Sequence, residues 1–124
     1  MPHPLNFTAG WWLILAGFIG GAIIGLGFHH PDFLGGYGSL RRRLLRLGHI
    51  ALAALGMLNV LYGLSPVAAA LGGLTAGHLL LAGSIAMPAV CLLAAWREPI
   101  RHLFFIPVLL LATAVIAIIH SPSP

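Results

Sequence analysis

Four stretches of this chain are each about twenty residues long and nearly free of charge, the length a helix needs to cross the hydrocarbon core of a bilayer. They lie roughly at 10–28, 44–64, 70–96 and 103–120. Inside a membrane the backbone has no water to bond, so a spanning segment of this length must be helical. Hydrophobic residues make up 60% of the chain and charged residues 6%. A soluble domain carries about 25% charged residues, so this chain lacks the charge to cover a water-facing surface. With 124 residues it forms one domain, expected to be a single transmembrane domain over 1–124. The expected fold class is all-α, an integral membrane four-helix bundle. Short connections make successive helices antiparallel neighbours.

Charge fixes the expected orientation. Six Arg stand against Asp32 and Glu98, and there is no Lys. Arg41, Arg42, Arg43 and Arg46 flank the first connection, and Arg97 and Arg101 lie in the third. The second connection and both tails contain none. Basic residues mark the cytoplasmic side, so the N and C termini are expected on the non-cytoplasmic side, with a bacterial inner (cytoplasmic) membrane as the expected location. Trp11, Trp12 and Tyr62 are then expected at the outer interface, and Tyr37, Trp96 and Phe104 at the inner one. The opening residues lack the basic region of a secretory signal, so the first apolar stretch is expected to be retained. The Arg are too few, and too well accounted for by topology, to point to nucleic acid. Their run also suits anionic lipid, at about 1 kcal/mol per basic residue.

Small residues predict where helices meet. Gly17, Gly21 and Gly25 recur at spacing four on one face of the first helix. Such faces let backbones approach closely in lipid, within the bundle or against another subunit. Gly56 and Gly63 follow His49 at spacing seven, nearly on one face of the second helix. Pro88 is expected to kink the third helix or free a carbonyl near Ser84. Pro107 falls in the first turns of the fourth helix, where proline is better tolerated. Cys91 has no partner in the chain and reads as a small apolar residue.

Seven histidines are the unusual resource. None forms a closely spaced metal-ligand motif. His49 is expected about 7 Å inside the cytoplasmic end of its helix and His78 about 12 Å inside the outer end. An intramembrane ionisable group is a functional candidate by default. A histidine beside glycines suits a flat cofactor such as haem b, so His49 and His78 are the first candidate ligands. They enter from opposite sides, about 10 Å apart in depth, which weighs against one shared iron. Topology sorts His29, His30, His49 and His102 to the inner side and His3, His78 and His120 to the outer side. Partners within a side are therefore His29 or His102 for His49, and His120 for His78. The plain alternative is a histidine bonded to a neighbouring helix, to water or to head groups. Gly48–Ala53 echoes Gly77–Ala82, a match short enough for chance. Asn59 is expected to bond across helices.

No carboxylate lies within a helix, which argues against a carboxylate proton pump or a di-metal oxidase. No serine sits in a nucleophile-elbow pattern. The expected function is therefore non-catalytic: an accessory subunit of a larger membrane complex, electron-transfer or respiratory first, with the bilayer and other membrane subunits as partners. The alternatives are a haem-b or metal-binding membrane protein using the embedded histidines, and a small oligomeric transporter or channel.

Overall fold

A computed structural model describes residues 3–69 and 73–121 of the chain, the side chains of Gly73 and Leu74 excepted. Four α-helices account for most of it: α1 Pro4–Gly27, α2 Leu40–Leu64, α3 Gly73–Trp96 and α4 Phe105–Ile119. All four are long and apolar enough to cross a membrane when the 3-10 turn Glu98–Phe104 is counted with α4. The chain is an integral membrane protein of four spanning helices. The start of the third stretch, 70–72, lies outside the described residues.

Local signals set the helix ends. Pro4 opens α1 at a position where its missing N–H costs nothing. The helix therefore begins six residues before the expected boundary and takes in Asn6. Ser39 caps α2, its Oγ accepting from the Arg42 N–H at 3.2 Å while donating to the Leu34 carbonyl at 2.7 Å. The connection before it turns through Leu34, Gly35 and Gly36, all at positive φ. Gly35 and Gly36 take that conformation freely; Leu34 is held there against its preference. Pro88 lies inside α3, which continues past it as one helix to Trp96.

The helices pack in series. α1 packs on α2, α2 on α3, and α3 on α4. Among the described residues α1 and α4 share no packed interface, so the two flanking helices present broad apolar faces outward. The α1–α2 seam is made by small residues. A Cβ on Gly10 would stand 2.6 Å from the Gly56 carbonyl oxygen, and one on Gly56 would stand 2.8 Å from the Gly10 oxygen. Gly17 meets the Ala53 backbone and Gly63 meets Phe7 in the same way. The seam thus sets Gly10 against Gly56, Gly17 against Ala53 and Gly63 against Phe7, its glycines recurring at spacing seven on both helices. Gly25 has nothing within 4 Å of its Cβ position, so the face read at spacing four ends at Gly21.

Two apolar clusters close the structure. Tyr62, Ala68, Ala76, Leu80 and Ala114 fill the end near the second connection. Leu44, Leu45, Ala94 and Ala95 fill the opposite end. Tyr62 thus stands near the α2 end where it was expected, but packed into the core rather than exposed. Trp11 and Trp12 stay exposed, but the early start of α1 sets them about 10 Å along the helix from Pro4.

Candidate functional site

Polar chemistry inside the spans gathers in one place. Asn6 of α1, Asn59 of α2 and Ser84 of α3 are fully buried. The Asn6 amide Nδ2 donates to Asn59 Oδ1 at 2.7 Å and to the Gly77 carbonyl at 2.9 Å. Asn59 Nδ2 donates to Ser84 Oγ at 2.8 Å and to its own helix at Leu55 O, 2.9 Å. Ser84 Oγ closes the run by donating to the Leu80 carbonyl at 2.7 Å. Three helices are joined by one chain of bonds. In hydrocarbon a lone amide is costly, so each member requires the others. Gly77 leaves the space for this: a Cβ there would stand 2.7 Å from Asn6 Oδ1 and 2.9 Å from the Tyr62 ring. Asn6 Oδ1 itself is buried without a hydrogen-bond donor.

Asn59 was legible as a cross-helix polar residue. Asn6 was not, because the apolar count began at Gly10 and left it in a tail. The signal that finds it is Pro4, a proline suited to the first turn of a helix.

The histidines are distributed differently. His49 turns its ring onto the glycine face of α1, with Cδ2 2.9 Å and Nε2 3.3 Å from the Cβ position of Gly21. The imidazole itself covers this stretch of the glycine face. Its Nδ1 is buried and makes no hydrogen bond. His78 lies five residues into α3, about 8 Å along it, and is exposed with Thr75, Ala82 and Ile85 on its face. The two echoed segments thus differ in environment: His49 packs on α1, whereas His78 faces outward.

His78 does meet a histidine, but it is His3. Their rings stand edge to face with centroids 6.4 Å apart. The His3 N–H also donates to the Gly63 carbonyl at 2.7 Å, which ties the start of α1 to the end of α2. His120 instead turns its Nδ1 to within 2.9 Å of the Ile116 carbonyl in its own helix. His29, His30 and His102 are exposed around the opposite end. Among the described residues no three His, Cys, Asp or Glu side chains converge as a metal site would require.

All six Arg gather at the end away from His3. Arg41 Nε donates to the Ala95 carbonyl at 2.8 Å, and its guanidinium lies 5.3 Å from the Trp96 ring centroid. A cavity of about 240 Å³ beside it is lined by Leu34, Ser39, Leu40, Ala94, Trp96 and Glu98. Arg42 is nearly buried, and its guanidinium lies over Phe28 and Tyr37. Nothing in composition signalled that one arginine of this run would be inside.

No family model, no curated protein and no solved structure matches this chain.

Proposed function

We propose that the protein is a non-catalytic accessory subunit of a larger membrane complex, with an electron-transfer assembly as the first candidate and the bacterial inner membrane as its location. The observation that carries the reading is where the uncharged polar side chains buried between the helices direct their donors. Asn6, Asn59 and Ser84 spend their hydrogen bonds on one another and on helix carbonyls. A reaction centre instead aims such groups at a shared open space. The apolar outer faces of α1 and α4 supply surface for lipid and for neighbouring membrane helices.

Purification from native membranes in a mild detergent tests this. The chain is expected to co-migrate with other membrane polypeptides at fixed stoichiometry. A chain that always migrates alone would sink the proposal.

A second reading, a haem or metal held by histidines, has one observation in its favour. His3 and His78 bring two imidazoles within 6.4 Å of each other. An absorption spectrum and metal analysis of the purified protein decide it, and the absence of both a Soret band and stoichiometric metal would end it.

A further inference from the structure

Arg42 is 5% exposed, and its Nε is buried without a hydrogen-bond partner. Its guanidinium lies 4.2 Å from the Phe28 ring centroid and 5.5 Å from that of Tyr37. One turn later, Arg46 lies 5.1 Å from the same Tyr37 ring. The described arginine side chains bond one backbone carbonyl and lie over three aromatic rings, and none of them reaches Asp32 or Glu98. Ring faces attract a cation but accept none of the in-plane N–H bonds that a guanidinium offers. A buried charge ordinarily finds such an acceptor.

The helix makes the imbalance worse. Arg42 and Arg46 are like charges one turn apart, an arrangement that disfavours the helix. They also sit in the first two turns of α2, where the helix dipole is itself positive and no acidic residue stands. The tendency of basic residues to lie inside the cell explains how many Arg occur on this side. It does not explain why one is buried with no acceptor.

We propose that Arg42 and Arg46, on the Tyr37 platform, bind a phosphate-type oxyanion. The guanidinium fork matches phosphate oxygens two at a time, and both positive charges and the α2 N-terminus gain from one anion. Depth favours the headgroup of an anionic phospholipid. About 30 Å of hydrocarbon is crossed by about twenty helical rises of 1.5 Å, which counted back from Leu64 reach Leu44. Arg42 therefore lies at headgroup level.

The test uses the full chain purified in detergent. Native mass spectrometry follows titration with phosphatidylglycerol or phosphatidylcholine, and thermal unfolding is followed with inorganic phosphate. Phosphatidylglycerol is expected to saturate one site, with affinity falling about tenfold in R42Q and in R46Q. The zwitterionic lipid is expected to show no saturable adduct. R46Q and Y37A alter side chains that reach the surface, so they report on the site even where R42Q fails to fold. Stabilisation by inorganic phosphate that is lost in R46Q would identify a free phosphate as the source and leave the site standing. R97Q and R101Q carry the same charge change at the same end of the bundle. An equal loss in those variants, or no loss in R42Q, R46Q and Y37A, would overturn the proposal.

Discussion

Asn6 and Asn59, on helices that are successive in the chain, share a hydrogen bond of 2.7 Å inside the membrane span. The bond joins α1 to α2 near the end that carries His3. Through Ser84 and Gly77 the same network reaches α3. It fixes how three helices stand in register where apolar packing alone would tolerate sliding.

Removing Asn59 therefore takes one hydrogen bond from each of two partners, Asn6 and Ser84. Asn59→Leu is expected to lower stability by about 1–2 kcal/mol, since membrane hydrogen bonds average below 1 kcal/mol but a buried unpaired amide costs more. Reversible unfolding in mixed micelles measures it. Asn6→Leu should couple to Asn59→Leu by at least about 0.5 kcal/mol in a double-mutant cycle. Strict additivity would contradict the network.

The glycine seam gives a contrast within one helix. Gly10→Val pushes a side chain into the Gly56 carbonyl and is expected to cost about 1–3 kcal/mol. Gly25→Val meets open space and should change stability by less than about 0.5 kcal/mol. The same unfolding assay separates the two. Equal effects would mean that the close approach is elsewhere.

His49 is a packing residue on this account. Its ring covers Gly21 and its Nδ1 bonds nothing. His49→Phe keeps a flat ring there and is expected to cost less than about 1.5 kcal/mol. Absorption spectra of the two proteins should coincide. A pigment present in the native protein and lost in the variant would show His49 to be a ligand.

Orientation is tested by labelling. Gly38 and Pro66 are exposed at opposite ends of the helices, and Cys91 is buried. In intact cells a membrane-impermeant maleimide should label Pro66→Cys and spare Gly38→Cys. The reverse pattern would invert the orientation read from the Arg.

The fold was legible because length and hydropathy are sums over many residues. Four long apolar stretches admit no other regular structure in lipid. The partners of individual residues were less so. Asn6 depended on where α1 begins, which a run of apolar residues starting at Gly10 does not mark but Pro4 does. Of the seam, Gly17, Gly56 and Gly63 were legible as small packing residues, and Gly10 was not, because counting at spacing four from Gly17 passes over it. His78 was placed by depth alone. Depth does not say which way a side chain turns, and on α3 it turns outward. Arg42 was counted with its neighbours because topology weighs the number of basic residues and not their burial.

The accessory role is tested most directly from α4, which packs on α3 and leaves Leu109 exposed while Ala114 is buried. A photo-crosslinking residue is placed at either position in the native membrane and irradiated. The account predicts a discrete higher-mass protein adduct from Leu109 and none from Ala114. Lipid adducts alone, from Leu109 and from every other outward position of α1 and α4, would contradict it.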